Sequence, residues 1–567
     1  MYWTKRIFTC VLVGILIVAS LPLSVSAKDY EFHENDTYWY EVTTEFGEPG
    51  IRIWRYLSEE NLSVIEVPAE IDGYPVIAIG ENAFVWNTNA LETLILPEGL
   101  KYVEKSAFSG CKKLKEIVFP SSLISIGDDA FAFCPQLPSV SIPEGVRELG
   151  RCVFYGCKAL REATIANSVT TIGDCTFLKC PSLVTAKVPM VSGGMFRDCP
   201  ELREVIFSDT ITRIDDYAFY NCPSLTSENF AIPDTVTYIG EGAFSLCDSF
   251  TSESFALPDA VTFIGEYAFA YCSGLTEINI PRDMTVISDH AFAMMRKLQS
   301  IDIPDWITCI GDGAFSGCTA LASVKIPESV TEIGNGAFSN CTALTAVTIP
   351  ETVTYIGEKA FSGCTLLEDL TIPEDLTFLG KDAFAGTAYF TAYRADGSNW
   401  EDNMLYLGSY LIEVRPDSGT EFHVKEGTTL IVDYAFSDAY SKSSYCALYL
   451  PNSITYVGAK TVLWHRDQYV WVYYDGTPDE WYNVREHREN SYADGRNLVY
   501  LIPGDIDRDG HVAASDAMLL RQYLAKLFVF EEEPWETVEA NADVNRDGVI
   551  NARDMLLLRR IVAGLAD

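Results

Sequence analysis

Basic residues are scarce in this 567-residue sequence, with 41 Lys and Arg against 80 Asp and Glu, a formal net charge of −39. A chain this acidic repels phosphate backbones and anionic lipid, so nucleic acid and membrane surfaces are excluded as ordinary partners. Histidine is also rare, with six residues scattered at positions 33, 290, 423, 465, 487 and 511. The sequence contains no Gly-x-Ser-x-Gly, no His-Glu-x-x-His and no phosphate-binding glycine loop. The most familiar signatures of hydrolases and nucleotide-binding enzymes are therefore missing.

Long apolar runs are almost absent too. The one run, Ile7 to Leu23, follows Lys5 and Arg6 and precedes the small residues Val25-Ser-Ala27. This order predicts a secretory signal peptide that is removed after about Ala27, and a stop-transfer helix is the alternative. No second run approaches the ~20 apolar residues of a membrane span, so we expect a protein released from the cell.

A phrase of about 23 residues recurs through most of the sequence. One copy runs from Phe315 to Ala337, and nine of the thirteen spacings between equivalent phenylalanines are 23 residues, the others being 19, 24 and 25. The phenylalanines are Phe84, Phe108, Phe131, Phe154, Phe177, Phe196, Phe219, Phe244, Phe269, Phe292, Phe315, Phe338, Phe361 and Phe384, and a degenerate copy returns at Ala435-Phe436. Such self-similarity predicts a solenoid, because a unit this short cannot bury its own apolar face.

Each copy predicts two short strands and a turn. Residues 321–326 mix apolar and short polar side chains up to Pro327, residues 330–333 repeat this on a smaller scale, and residues 337–341 suit a helical turn. We therefore expect an α/β solenoid, capped at both ends. At a strand spacing of about 4.8 Å per coil, the stack would extend for roughly 70 Å.

The cysteines follow the repeat rather than a disulfide framework. Without Cys10 in the signal peptide, 15 remain, an odd number. Eleven lie three residues after the repeat phenylalanine: Cys111, Cys134, Cys157, Cys180, Cys199, Cys222, Cys247, Cys272, Cys318, Cys341 and Cys364. Stacked coils would place their Cβ atoms about 4.8 Å apart, slightly beyond disulfide geometry. The pattern indicates a buried column of reduced thiols, and disulfide pairing is the alternative.

The Ile-Pro, Val-Thr-x-Ile-Gly and Ala-Phe-x-x-Cys phrases resemble the BspA-like class of leucine-rich repeats. In that resemblance the segment Ile65 to Gly80 corresponds to the first coil, and Val472 to Trp481 to the C-terminal closing element. The resemblance implies a cell-surface or secreted protein that recognises a protein or a glycan. It divides the sequence into a signal peptide (1–27), an N-terminal cap and first coil (28–80), a solenoid (81–390), and degenerate repeats with a C-terminal cap (391–500).

Three copies depart from the regular length. The copy that contains 191–194 is four residues short, and two copies carry two extra residues near Glu228 and Glu253. Insertions and deletions in solenoids often shape a binding face, but ordinary repeat decay produces them as well, so both interpretations remain open.

Two matched acidic loops follow Pro503-Gly504, and their first residues are 38 apart. Calcium takes six to eight oxygens, and a tight loop supplies them from positions 1, 3, 5, 7, 9 and 12, with glycine at position 6. The candidate ligands are Asp505, Asp507, Asp509, His511 and Asp516 in the first loop, and Asp543, Asn545, Asp547, Val549, Asn551 and Asp554 in the second. His511 and Val549 would donate through their carbonyl oxygens, and a water would replace a side chain at Ala513. The sequence thus predicts two Ca²⁺ ions.

Asp at position 12 and the absence of a helix before the first loop differ from an ordinary EF-hand. Together with the duplication and the C-terminal location, they resemble a type I dockerin, over residues 503–567. The resemblance implies calcium-dependent binding to a cohesin of a scaffold protein, in a cellulosome-type assembly that degrades plant polysaccharides. By the same resemblance, the cohesin contacts are Ala514, Ser515, Arg521, Gln522, Ala552, Arg553, Arg559 and Arg560. The interior would hold Leu519, Leu520, Tyr523, Leu524, Leu557, Leu558, Ile561 and Val562.

Because dockerins usually accompany enzymes, a hydrolase with its site in the irregular 391–500 region is the alternative function. Cys446 lies off the cysteine column and His465 follows it, which allows a thiol nucleophile. A buried cysteine in a degenerate coil explains Cys446 equally simply. We therefore expect a non-catalytic binding protein with a tethering module and a repeat solenoid.

Overall fold

Each 23-residue copy closes one coil, and successive coils lie on one another with their strands in parallel. The computed structural model describes residues 32–500, apart from 46, 48, 59, 61, 86–88, 253–254, 417–418, 438, 440–444, 462–468 and 487–497, together with thirteen residues between 512 and 561. Between Phe315 and Phe338, a coil contributes the strands Ser323–Lys325 and Glu332–Ile333, here called its A strand and its B strand. The predicted solenoid is confirmed.

The B strands form parallel ladders in a constant register. Cys309 lies opposite Glu332, and Glu332 lies opposite Tyr355, so in regular copies a strand meets the equivalent residue 23 positions on; in the long copies the offset is 25, as for Arg213 and Tyr238. Since strand side chains alternate between faces, the isoleucine or leucine points inward and its neighbour outward. The B strands are Tyr74–Ile79, Tyr102–Val103, Ser125–Ile126, Glu148–Leu149, Thr171–Ile172, Arg213–Ile214, Tyr238–Ile239, Phe263–Ile264, Val286–Ile287, Cys309–Ile310, Glu332–Ile333, Tyr355–Ile356 and Phe378–Leu379.

The A strands pair in parallel in the same way, as Ser139 with Glu162 and Glu162 with Thr185 illustrate. Most end just before a proline, whose missing N–H could not continue the ladder; Glu162–Ile165 and Glu204–Phe207 end without one. The A strands are Val64–Glu66, Thr93–Ile95, Glu116–Val118, Ser139–Ile142, Glu162–Ile165, Thr185–Val188, Glu204–Phe207, Ser300–Asp302, Ser323–Lys325, Ala346–Thr348 and Asp369–Thr371.

The irregular copies interrupt the sheets without interrupting the stack. In the short copy, one bridge between Val191 and Ile214 replaces the B strand. In the long copies, the described residues between Phe207 and Ser300 contain no A strand. There Phe230 turns inward, and its ring meets Phe219 edge-on at 5.3 Å. Among the described residues, the A strand is missing from both long copies and from the 23-residue copy that follows them, while each coil still closes.

The segment expected as a helical turn is instead a run of tight turns that forms a third ladder. Hydrogen bonds from Ala337 N to Gly334 O and from Cys341 N to Phe338 O close successive turns. Gly336 (φ 58°) and Asn340 (φ 59°) are left-handed, which prevents a continuous helix. In exchange, their N–H groups and that of Phe338 point the same way and donate to the next coil at 2.7 Å each.

The repeat phenylalanines form one buried column. Their rings stack from Phe84 to Phe384 with centroids 4.7–6.1 Å apart, and Tyr56 of the N-terminal cap begins the column at 5.2 Å from Phe84. None of these phenylalanines is more than 4% exposed. The column passes through the short and long copies without a gap, as the 5.7 Å contact of Phe177 with Phe196 shows.

The eleven column cysteines are buried and unbridged, as expected. The structure adds an interaction that the repeat pattern did not predict. From Cys134 to Cys364, each thiol donates to the carbonyl of the phenylalanine one coil before, over 3.1–3.5 Å; Cys318 to Phe292 O, at 3.2 Å, is typical. The thiol thus adds a second donor to a buried carbonyl that can already accept from a backbone N–H of its own turn, as Phe338 O does from Cys341 N.

The N-terminal cap is a three-stranded meander. Its strands β1 (Phe32–Glu34), β2 (Tyr38–Thr43) and β3 (Gly50–Tyr56) are antiparallel, and β3 joins the B sheet beside Tyr74–Ile79, which also pairs with the short strand Glu70–Ile71. Arg52 on β3 is 6% exposed and forms ion pairs with Glu41, Glu45 and Glu104, at 2.9, 2.7 and 2.9 Å. Since Glu104 belongs to the second coil, this network fastens the cap to the stack.

After Phe384 the array changes. Thr387 caps helix α1 (Ala388–Ala395) by accepting a hydrogen bond from Phe390 N, and the 3₁₀ turn Gly397–Asn399 follows. One sheet then contains Trp400–Glu401, Met404–Leu407, Tyr410–Val414, Leu430–Ile431, Tyr456–Val457 and Arg485–Glu486. A second contains Glu421–His423, Tyr445–Pro451, Tyr469–Asp475 and Leu498–Tyr500, and helix α2 spans Pro478–Trp481. These strands enclose a second apolar core that includes the degenerate-copy residue Phe436.

The thiol column predicts a pattern of chemical labelling. Burial raises the pKa of the thiols of Cys157, Cys199, Cys247 and Cys318 to about 12, so at pH 8 they stay protonated as well as inaccessible. In native protein, a maleimide should modify the partly exposed Cys152, Cys175 and Cys309 first and the column only after denaturation, as mapped by peptide mass spectrometry. Labelling of Cys318 as fast as Cys309, or disulfides within the column, would contradict the stacking.

Substitutions of the two arginines of strand β3 are expected to have unequal effects on the stability of the protein. Arg52→Met leaves the buried Glu41 carboxylate without its partner, so we expect a loss of about 3–5 kcal/mol of stability. Arg55→Met, on the exposed face of β3, is the matched control and should change stability by less than about 0.5 kcal/mol. Urea unfolding measures both. Equal effects of the two substitutions would show that Arg52 does not anchor the cap.

Candidate functional site

The C-terminal module has a small apolar interior. Leu520, Ala542, Val544 and Leu558 are buried together, and Leu519, Leu557 and Ile561 pack partly buried against them. Five of the eight residues predicted for this interior, Leu519, Leu520, Leu557, Leu558 and Ile561, are therefore confirmed. Tyr523, Leu524 and Val562 lie outside the described residues. Residues that follow the first acidic loop thus pack against residues within and after the second, which brings the two halves together.

Of the predicted calcium ligands, the described part of the chain includes Asp554. Its side chain is fully buried, and it lies three residues before Leu557 and four before Leu558, which belong to the apolar interior. A buried carboxylate at position 12 suits a calcium ligand, because a bound cation compensates the cost of burying the charge. Asp505, Asp507, Asp509, His511, Asp516, Asp543, Asn545, Asp547, Val549 and Asn551 lie outside the described residues. Among those that are described, no three His, Cys, Asp or Glu side chains gather as a metal site.

All predicted cohesin contacts also lie outside the described residues: Ala514, Ser515, Arg521, Gln522, Ala552, Arg553, Arg559 and Arg560. One neighbouring residue is visible. Arg546, at position 4 of the second loop, is left-handed (φ 55°) and pairs through both terminal nitrogens with Asp475, Nη1 lying 2.9 Å from Oδ2. Asp475 ends a strand of the C-terminal sheet, so this ion pair joins the second loop to the closing element of the repeats. Its two residues are 71 positions apart, and no local pattern indicated the contact.

On the solenoid, several large apolar side chains are exposed in the coils beside the long copies, as others are elsewhere in the array, for example Phe133, Ile206 and Leu366. Phe263, Tyr267, Tyr271, Val286 and Trp306 are each 39–44% exposed, and we call this group the aromatic face. Apolar patches of this kind on a soluble protein commonly mark binding surfaces, and tyrosine and tryptophan are enriched at their centres. In the sequence, the two long copies were the features that marked this region. They allowed a binding face here but did not identify its residues.

Backbone conformation explains why rings project from this face. Tyr267 and Tyr271 occupy the left-handed positions of their turns, from which side chains extend over the neighbouring coil. The Tyr267 ring stacks on His290 at 4.5 Å, and His290 lies over Gly313. A Cβ at Gly313 would lie 2.2 Å from His290 Nδ1, so only glycine fits beneath that ring. The rings are thus held in place before any ligand arrives.

The residues proposed for a thiol nucleophile do not form a visible site. Cys446 lies on the strand Tyr445–Pro451, is 5% exposed and belongs to the second apolar core. His465 lies outside the described residues. The described histidines His33, His290 and His423 each stack on a tyrosine. In the described part of the chain, no helix is long and apolar enough to cross a membrane.

Two family models match the sequence. The BspA type leucine rich repeat region matches residues 77–193, 190–305 and 285–404, which together span more than half of the chain. The dockerin type I domain matches residues 503–563. Each match coincides with the segment where its resemblance was expected.

Solved structures of bacterial repeat proteins are similar to the chain. A leucine-rich repeat protein from Bacteroides ovatus ATCC 8483 is 24% identical with a TM-score of 0.52, over 74% of this chain and 95% of that one. A leucine rich cell surface protein from Faecalibacterium prausnitzii A2-165 is 27% identical with a TM-score of 0.42, over 64% and 93%. The first likeness shows the repeat fold alone. Among curated proteins there is no match.

Asp554 gives a direct test of the calcium site. Asp554→Asn keeps the size of the side chain but removes the charge that faces the cation, so we expect calcium affinity at that loop to fall by about tenfold or more. Calorimetric titration of the full-length protein measures it. Asp369→Asn, an exposed change on an A strand, is the control and should leave the titration unchanged. Calcium binding unaffected by Asp554→Asn would exclude this carboxylate as a ligand.

Proposed function

Because the chain belongs to the BspA-type leucine-rich-repeat family and carries a C-terminal type I dockerin domain, we propose that it is a secreted, non-catalytic binding protein of a polysaccharide-degrading assembly. The dockerin tethers the protein to a scaffold, and the solenoid holds a second molecule. The observation that carries the proposal is the combination of these two modules in one chain. Each has its own apolar core among the described residues.

The tether works through calcium. Type I dockerins bind calcium, and the oxygen donors of the two loops suit two Ca²⁺ ions at positions 505–516 and 543–554. Without the ions, the clustered carboxylates repel one another and the module loses its fold. With them, Ala514, Ser515, Arg521 and Gln522, or their counterparts Ala552, Arg553, Arg559 and Arg560, contact a cohesin of the scaffold protein. The two sets differ, so the two halves present different surfaces.

The solenoid supplies a rigid surface for a second protein or a glycan. Within the aromatic face, the Phe263 ring stacks on Tyr238 and the Tyr267 ring stacks on His290, which lowers the entropy lost when a partner binds. Glu266 directly precedes Tyr267 and Asp289 is three residues after Val286, so a partner with basic or hydroxyl groups is favoured over an acidic one. The irregular copies shape this surface, which supports the binding interpretation of their lengths.

A non-catalytic role fits the residues available. The repeats and the dockerin account for both family matches, and neither match is to a catalytic domain. The alternative, a hydrolase in the 391–500 region, depends on Cys446, whose burial in an apolar core denies a substrate access. The apolar segment after Lys5 and Arg6 supports secretion through a signal peptide, and the dockerin then retains the protein on an extracellular complex.

Cohesin binding tests the tether. The double change Asp505→Ala and Asp543→Ala removes the first ligand of each loop, so full-length protein should lose at least about a hundredfold in affinity for a calcium-loaded cohesin, as a chelator should also cause. Surface plasmon resonance measures this, with the pair Asp302→Ala and Asp369→Ala on A strands as the control.

Cohesin binding that survives both the chelator and the double change would refute the tether. A second outcome would favour the hydrolase. It is the release of reducing sugar or peptide from cell-wall substrates by purified protein, with the activity abolished by Cys446→Ala or by a single carboxylate substitution.

A further inference from the structure

The B sheet is interrupted within the aromatic face. The strand Phe263–Ile264 ends a three-stranded ladder, and Val286–Ile287, one coil further on, begins a five-stranded one. Phe263 and Val286 hold the outward positions of these strands and are each 44% exposed. The next outward residue is Cys309, so two small side chains follow the Phe263 ring and leave a depression beside it. We call the surface formed by Phe263, Val286 and Cys309 the B-face depression.

One face of the Phe263 ring is covered and the other is turned toward this depression. The covered face stacks on Tyr238, with ring centroids 5.1 Å apart and planes 12° from parallel. Since the two rings follow one another along the solenoid, their edges point to solvent. A glycan laid flat on the sheet would meet only those edges. A cation, which binds to the face of a ring, can reach Phe263 by entering the depression.

The chain places a cation of its own in the same setting two coils before the depression. The Arg213 guanidinium lies 4.6 Å from the centroid of the Tyr238 ring and pairs with Asp215. Tyr238 is thereby held between Arg213 on one side and Phe263 on the other. Among the residues that the structure describes, no cation lies over the Phe263 ring. Its second face is therefore open to a cation from another molecule.

Three carboxylates lie close to the depression, those of Glu332, Asp289 and Asp312. Burial first, and then their negative charges, raise the pKa of the Cys309 thiol to about 11. Glu332 Oε2 lies 3.9 Å from the Cys309 sulfur, while Asp289 and Asp312 are held by backbone N–H groups of the next coil, at 2.7 and 2.6 Å. In the described part of the chain, none of the three forms an ion pair with a lysine or arginine. Their charge is available to a partner.

We propose that the B-face depression binds an arginine or lysine side chain of a partner protein, against the open face of Phe263 and beside the carboxylates of Asp289 and Glu332. Cation–π attraction and ion pairing then act on one group, as they do on Arg213. Arginine suits the site better than lysine, because a planar guanidinium stacks on a ring. Apolar side chains next to the basic residue contact Val286 and Trp306, which is 39% exposed.

This inference rests on the proposed function and deepens it. It assigns the partner of the aromatic face to proteins rather than glycans, and it names the side chain that is recognised. The dockerin plays no part in it, so cohesin binding can be measured independently on every variant.

The first test selects a phage-displayed library of random linear peptides on immobilised full-length protein. A parallel selection uses Val286→Arg, in which the chain supplies its own cation to the depression as Arg213 does for Tyr238. Peptides from the unmodified protein should be enriched in arginine or lysine beside apolar residues relative to those from the variant. Because both proteins are strongly acidic, this comparison removes general attraction of basic peptides. Equal basic content in the two selections, or no enrichment over the unselected library, would overturn the proposal.

The second test titrates one selected peptide in solution, together with a copy in which glutamine replaces the basic residue. The basic peptide should bind about tenfold more tightly or better, and added salt should weaken it. Phe263→Ala and Glu332→Gln should each lower its affinity about tenfold. The matched controls are Phe133→Ala, a likewise exposed phenylalanine, and Glu148→Gln, on the outer face of a distant B strand. Both controls should leave binding unchanged.

Equal affinity for the two peptides, or binding that survives Phe263→Ala, would contradict the proposal. Binding of a cello-oligosaccharide that Phe263→Ala abolishes would assign this face to a glycan, which overturns the inference and leaves the proposed function standing. Circular dichroism verifies the fold of each variant. Failure of the tether would show separately, as loss of calcium-dependent cohesin binding by the unmodified protein.

Discussion

The structure depends on one constraint, which is that equivalent residues of successive coils lie opposite one another. Three parallel ladders and the phenylalanine column all require it, because a slip of one residue would turn every inward strand side chain outward. The irregular copies show which part of the coil the constraint protects. The short copy gives up a B strand and the long copies give up A strands, yet Phe177, Phe196, Phe219 and Phe244 remain in unbroken contact. The turn around the phenylalanine is therefore the part of the coil that must not change.

Much of this was predictable from the sequence, because periodicity and burial are properties of the pattern itself. The buried thiol column and the two strands per copy follow from residue types at fixed intervals, and the dockerin match at residues 503–563 agrees with the paired acidic loops. The helical turn was not predicted correctly. The left-handed positions of these turns are occupied by residues such as Cys152, Tyr217, His290 and Lys359 as well as by glycine. The residue types at these positions therefore did not indicate the backbone conformation. The thiol–carbonyl bonds and the Arg546–Asp475 pair also escaped prediction, since they join residues that no local motif relates.

The same division separates the calcium loops from the binding surfaces. The coordination of the ion fixes the spacing of its ligands, so candidate calcium loops can be recognised in the sequence. A surface that binds a partner is instead determined by that partner and has no fixed spacing of residues. The candidate surface of the solenoid, the aromatic face, occurs beside the long copies, where the repeat is irregular. Regular coils satisfy their own hydrogen bonds and leave little to recognise. Departures from the register expose rings and gather charges, and in this chain they are where function can be added without unstacking the core.

Two independent interactions are expected to stabilise the protein. Contacts between coils stabilise the solenoid, and bound calcium stabilises the dockerin. Hydrogen–deuterium exchange of the full-length protein, with calcium and then with a chelator, compares them in one experiment. The account predicts that chelation accelerates exchange throughout residues 503–567 while amides in the coils from Phe84 to Phe384 keep their protection. Loss of protection that spreads into those coils, or a C-terminal module indifferent to calcium, would contradict it.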